Sequence, residues 1–222
     1  MVAGWPRFDL YVITDPVLSR GRSHLEIARA ALEGGADAVQ LRDKSSPAMN
    51  LCRLVAEIQP LARKYGALLV VNDRVDVAMV TGADGAHVGQ EDLPAREARR
   101  LLPRPTVLGV SAGTKDEARR AQKDGADYLG VGPVFPTATK PDAGAALGLE
   151  GLAAIAGSVS IPVVAIGGIT MENVAGVIAA GAAGAAVVTA VVAADDMAAA
   201  ARALKRRIVE ARRSLPALGA ER

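Results

Sequence analysis

Short apolar runs bounded by glycine or polar residues recur along the chain and alternate with stretches of helical, amphipathic period. In order, they predict strands near 9–14, 37–41, 67–72, 84–88, 106–111, 127–132, 162–166 and 184–188. Their nearly continuous apolar character implies cover on both faces, as in a parallel sheet wrapped by helices. Strand and helix alternating in this way build a right-handed parallel array. The prediction is an α/β fold, a single-domain (β/α)8 TIM barrel over residues 1–213, with a final helix near 195–213 and a tail, 214–222, that frays. An open doubly wound sheet is the alternative, but no glycine-rich dinucleotide turn follows the first strand.

The punctuation between runs repeats. Gly35-Ala36-Asp37, Gly82-Ala83-Asp84 and Gly125-Ala126-Asp127 each close a helical pattern and precede a strand, with Gly181-Ala182-Ala183 as a degenerate fourth copy. The glycine suits the left-handed residue after a helix end.

In such a barrel the residues just past each strand gather at one mouth, where the chemistry sits. The second strand runs directly into Gln40, Arg42 and Lys44, which alternate and therefore share a face. The same rule selects Asn72 and Asp73 after the third strand, Asp92 shortly after the fourth, and Ser111 after the fifth. It further selects the loop "GPVFPTATK" after the sixth, Gly167 and Gly168 after the seventh, and Thr189 after the eighth. Asp73 and Asp92, on adjacent strand ends, suit one hard cation that takes its other ligands from water and a substrate's phosphates, as Mg²⁺ does. Arg42, Lys44 and Lys140 add positive charge fit for a diphosphate, with arginine able to fork onto two oxygens. "AIGGIT" with "AVVTA" suits a monophosphate, because glycine lets backbone N–H groups approach an anion. The two subsets together imply transfer of a group from a diphosphate onto a phosphorylated acceptor.

Composition narrows the field. Of the 222 residues 50% are hydrophobic, so one core of Ala, Val, Leu and Ile can be buried, and only 3% are aromatic, which leaves few base-stacking surfaces for nucleic acid. A formal charge of +2 gives no global steering field, and the Arg-rich "RALKRRIVEARR" reads as a solvated helix face. Cys52 is alone, which excludes a disulfide framework, and without a Cys/His cluster a catalytic zinc is not expected. His24 and His87 read as structural histidines. The N-terminus lacks a secretory pattern, so a cytoplasmic location is expected. Residues 174–194 carry no charge, but they are mostly Ala and Gly and lack aromatic or basic anchors, so they read as helix, glycine stop and buried strand rather than a membrane span. Partners are small-molecule substrates, with no nucleic acid and no membrane, and a homo-oligomer is compatible with the sequence.

Seven stretches, "LYVITD", "GADAVQLRDK", "LLVVNDRVDVA", "GADGAHVGQEDLP", "GADYLGVGPVFPTATK", "IPVVAIGGIT" and "AVVTA", make the chain resemble the thiamine phosphate synthase family over about residues 9 to 210. The resemblance implies condensation of a hydroxymethylpyrimidine diphosphate with a thiazole phosphate, or its carboxylated form, giving thiamine phosphate and pyrophosphate. It implies that Gln40, Arg42, Lys44, Asn72, Ser111 and Lys140 contact the pyrimidine diphosphate, with Arg42, Lys44, Ser111 and Lys140 the catalytic set. By the same resemblance Asp73 and Asp92 bind Mg²⁺, and Thr137, Thr139, Gly168, Val188 and Thr189 hold the thiazole phosphate. Thr189 replaces the family's serine but keeps its hydroxyl. Gly113 stands where the family usually has histidine, two residues after the serine. Two alternatives on the same barrel are a thiazole tautomerase, whose histidine would fall at Pro133, and a non-catalytic phosphate-binding regulator.

Overall fold

The computed structural model describes residues 8–137 and 144–215. Its strands are β1 Leu10–Ile13, β2 Ala38–Leu41, β3 Leu68–Asn72, β4 Gly85–Val88, β5 Val107–Ala112, β6 Tyr128–Val131, β7 Val163–Ile166 and β8 Gly184–Val187. All pair in parallel with their sequence neighbours, and β1 closes on β8 with Leu10 opposite Ala185, so the sheet is a closed barrel. Each strand follows its sequence expectation closely. The helices between them are α1 His24–Glu33, α2 Ala48–Lys64, α3 Val75–Thr81, α4 Ala95–Leu101, α5 Lys115–Lys123, α6 Gly148–Ala156 and α7 Val174–Ala179. After β8 come α8 Thr189–Val192 and α9 Met197–Arg213. Among the described residues no helix is long and apolar enough to cross a membrane.

Period two along each strand sorts side chains into two layers. Leu10, Val12, Val39, Leu41, Leu69 and Val71 face the helices, while Tyr11, Ile13, Ala38, Val70, Tyr128 and Val164 fill the barrel interior. The β2 alternation therefore continues past the strand: Gln40, Arg42 and Lys44 all line the mouth. Asp43 serves its own turn instead, accepting from the backbone N–H groups of Ser45 at 2.9 Å and Ser46 at 3.0 Å.

The repeated Gly-Ala-Asp has a structural meaning beyond its helix stop. Gly35, Gly82, Gly125 and Gly181 all take positive φ, between 64° and 98°. The aspartate that follows reaches across to the preceding strand: Asp37, Asp84 and Asp127 each accept the backbone N–H of Leu10, Leu69 and Leu108 at 2.8–2.9 Å. At the fourth corner, where Ala183 replaces aspartate, Arg212 of α9 donates to the Ala183 carbonyl and to Asp9. Lys205 of α9 also bridges Asp9 and Asp37. The expectation of a wholly solvated Arg-rich helix is corrected for these two residues, because the carboxylates at the barrel base need cationic partners once buried. Cys52 is half-buried on α2.

Asp127 is 1% exposed and pairs with both Arg99 and Arg104. Asp127→Ala is expected to destabilise the protein by about 2 kcal/mol, since it strands the Leu108 N–H and two arginines. Urea unfolding checks this; a midpoint unchanged from wild type would contradict the clamp.

One element was not anticipated. Sequence reading runs β8 straight into the final helix, whereas α8 intervenes. Its four residues, TAVV, carry no helix-start signal on the preceding Val188, and a run of β-branched residues reads as strand.

Candidate functional site

Two contiguous cavities open at the C-terminal ends of the strands, and both are lined by Ile13, Arg42, Ser111, Gly130, Ile166 and Ala186. About 980 and 680 Å³ of empty space lies in them, part of it open to solvent.

The first cavity is walled by Gly132, Pro133 and Thr137 after β6, Gly167 and Gly168 after β7, and Val188 and Thr189 after β8. Gly167 and Gly168 have φ of +97° and +63°, and a Cβ on either would fall 2.6–2.7 Å from Pro133 or Phe135. Only glycine lets the β7 turn pack this closely against the β6 loop. Asn173 ties the turn down by donating to the Gly168 carbonyl at 2.9 Å.

The second cavity carries the charges. Gln40, Arg42, Lys44, Asn72, Asp73, Asp92 and Ser111 all line it. Asp73 has φ +61°, a left-handed conformation that aspartate tolerates better than most residues. Asp92 accepts the Gly89 N–H at 2.7 Å. Burial, the hydrogen bond with Asp92 and that carboxylate's charge push Asp73 up to about 6, against the opposing pull of Lys44 and Arg42. Lys44 Nζ lies 4.0 Å from Asp73. Two carboxylates that share a hydrogen bond repel when both ionise, and a hard dication relieves that repulsion, so this donor set fits Mg²⁺. Among the described residues no group of three or more Asp, Glu, His or Cys could hold a metal, so an ion here would draw further ligands from water and substrate.

The described residues singled out for a diphosphate and its metal thus line the second cavity, and the described ones singled out for a monophosphate line the first. Thr139 and Lys140 lie outside the described residues. His24 sits behind the β2 loop as a structural residue: Thr14 Oγ1 is 2.7 Å from its Nδ1, and Asp43 Oδ2 is 3.4 Å from its Nε2. His87 has both ring nitrogens engaged, by Tyr128 OH and Ser111 Oγ at 3.0 Å each, as a structural histidine does, and it also lines the second cavity. Sequence reasoning passed over Asp15, which lines the first cavity and holds Arg42 Nη1 at 3.4 Å. It stands just past β1, so the strand-end rule could have found it.

Comparison with known proteins gives a consistent result. The family model for thiamine monophosphate synthase matches residues 10–191. A thiamine-phosphate synthase of Moorella thermoacetica is 58% identical over 177 residues, 80% of this chain and 84% of that protein. Another, of Methanoculleus marisnigri, is 51% identical over 205 residues, 92% of this chain and 97% of that one. The solved thiamine phosphate pyrophosphorylase of Pyrococcus furiosus superposes with a TM-score of 0.86 at 44% identity, covering 93% of this chain and 98% of that one.

Proposed function

Because the chain belongs to the thiamine monophosphate synthase family, a family of transferases, we propose that it joins 4-amino-2-methyl-5-hydroxymethylpyrimidine diphosphate to 4-methyl-5-(2-hydroxyethyl)thiazole phosphate, or its carboxylated form. The products are thiamine phosphate and pyrophosphate. The observation that carries this reading is the division of the mouth into a cationic, carboxylate-bearing cavity and a glycine-walled one that share Arg42 and Ser111.

On this reading Arg42 and Lys44 face the diphosphate, and Asp15 holds the Arg42 guanidinium where both cavities meet. Arg42 then stabilises charge as it gathers on the leaving oxygens. Asp73 and Asp92 would hold Mg²⁺, which would supply Lewis-acid neutralisation of pyrophosphate charge. The electron-rich aminopyrimidine supports the benzylic-type cation left behind. Gly168, Thr137 and Thr189 anchor the thiazole phosphate so that the ring nitrogen meets the pyrimidine methylene carbon, which lowers the entropic cost of the encounter. No strong protein base is required. Lys140 and Thr139 join these sets by resemblance to the family alone.

A tautomerase is disfavoured by Pro133, which stands on the first cavity wall and has no proton to exchange. Turnover separates an enzyme from a regulator. Thermal shift tests the division of the mouth: the pyrimidine diphosphate should raise the melting temperature only with Mg²⁺ present, and the thiazole phosphate with or without it. Failure of both ligands to shift the transition would overturn the proposal.

Gly113 offers a further check. Its N–H donates to Glu117 at 2.7 Å, and a Cβ there would meet only Glu117 Oε2, at 3.6 Å, so a side chain fits. Gly113→His is expected to change kcat by about tenfold or less, roughly 1.4 kcal/mol, because the chemistry needs charge stabilisation more than proton transfer. A gain of the ~10²-fold or more typical of a positioned acid or base would contradict that.

A further inference from the structure

Beneath the second cavity a chain of polar groups crosses the barrel interior, where aliphatic side chains ordinarily pack. Gln40 Nε2 donates to Tyr11 OH at 2.9 Å, and Tyr11 OH lies 2.9 Å from Tyr128 OH. Tyr128 OH lies 3.0 Å from His87 Nδ1, and His87 Nε2 lies 3.0 Å from Ser111 Oγ. The space is kept open by glycine. A Cβ on Gly109 would fall 2.2–2.4 Å from the Tyr128 ring, its hydroxyl and His87 Nδ1, and one on Gly130 would fall 2.9 Å from His87.

Each hydroxyl has one proton to give, so the chain has a direction. Burial raises both tyrosines above their ordinary pKa, and both keep that proton. Starting from Gln40 Nε2 donating to Tyr11, the one order that gives every hydroxyl proton an acceptor runs from Tyr11 to Tyr128 and from Tyr128 to His87 Nδ1. That makes Nδ1 the acceptor and leaves the imidazole proton on Nε2, directed at Ser111. Ser111 accepts it, and its own proton is left for the cavity. At the other end the amide nitrogen of Gln40 is engaged by Tyr11, which leaves its carbonyl oxygen to the cavity.

We propose that Tyr11 and Tyr128 are positioning residues that fix this order, Tyr11 directly on Gln40 and Tyr128 through His87 on Ser111, so that Gln40 presents an acceptor and Ser111 a donor to the pyrimidine diphosphate. The consequence is selectivity. An amino group on the pyrimidine donates to the Gln40 carbonyl, whereas an oxo group at the same carbon sets acceptor against acceptor, and a site built to hydrogen-bond one group rejects its counterpart strongly. The inference rests on the synthase reading for its substrate but not for its chemistry.

Two measurements test it. The wild type should prefer the aminopyrimidine diphosphate to its 4-oxo counterpart by at least about 100-fold in kcat/KM. Tyr11→Phe frees the Gln40 amide to turn and should reduce that preference at least tenfold, with KM for thiazole phosphate within about twofold of wild type. Independently of turnover, ¹⁵N NMR should show His87 as the neutral Nε2–H tautomer in the wild type, and Tyr128→Phe should shift it toward a mixture of tautomers. An inert wild type would count against the synthase reading and leave the tautomer as the test of the chain. His87 found as the Nδ1–H tautomer, or an unchanged preference in folded Tyr11→Phe, would overturn the proposal.

Discussion

Asp73→Asn is expected to lower turnover by at least about 10²-fold and yet to raise the melting temperature of the metal-free protein. The loss follows from the proposed role: an amide binds Mg²⁺ more weakly than a carboxylate, and the developing pyrophosphate charge then lacks its strongest partner. The gain follows from the site without its metal. Asp73 is pushed up to about 6 in the folded protein, chiefly by burial and then by Asp92. Its protonated form is uncharged, so this contribution to stability is complete below the ordinary carboxylate pKa near ~4 and is lost as pH rises through about 6. Asparagine keeps the uncharged state at every pH, tolerates the left-handed backbone at that position and can donate to Asp92. The mouth is open to solvent, so screening reduces the effect to about 1 kcal/mol, or roughly 2–4 °C. Melting curves in chelator from pH 5 to 8 should separate the variant from wild type only toward the alkaline end, and Mg²⁺ titration of turnover should show its response lost. A variant with wild-type rate and metal response would remove Asp73 from the metal site.

Arg42→Ala should cost more than any other single change among the described cations of the mouth. Arg42 lines both cavities and is oriented by Asp15, so it can follow charge from the bound diphosphate to the departing pyrophosphate. Losing one preorganised donor of this kind costs about 10²–10³-fold in kcat, or ~3–4 kcal/mol. Arg42→Lys restores the charge but not the planar fork, so it should recover only about tenfold of that loss. Steady-state kinetics on the three proteins, with KM measured for each substrate, make the comparison. A kcat within threefold of wild type in Arg42→Ala would show that the leaving group is stabilised elsewhere.

The barrel was legible because parallel strands covered on both faces are written as short apolar runs, and the Gly-Ala-Asp repeat marks where helices stop. The mouth was legible for a related reason: a closed barrel brings strand ends together, so Gln40, Asp73, Asp92, Ser111 and Thr189 converge although they are far apart in the chain. What stayed hidden depends on partners across the barrel. His87 could not be told from a core histidine until Gly109 and Gly130, on β5 and β6, were seen to clear space beside it. Tyr11 and Tyr128 carry no signal of their own in the sequence, because a hydroxyl's function lies in what it faces. The aspartates of the repeat were visible, but their grip on a backbone N–H near the start of the neighbouring strand required the register of the sheet.

The most direct measurement mixes the purified protein with the pyrimidine diphosphate, the thiazole phosphate and Mg²⁺, and quantifies both products over time. The account predicts thiamine phosphate and pyrophosphate in equal amounts, with formation of thiamine phosphate dependent on both substrates and on the metal. Absence of thiamine phosphate across a range of pH, from protein that is folded and binds both ligands, would contradict it.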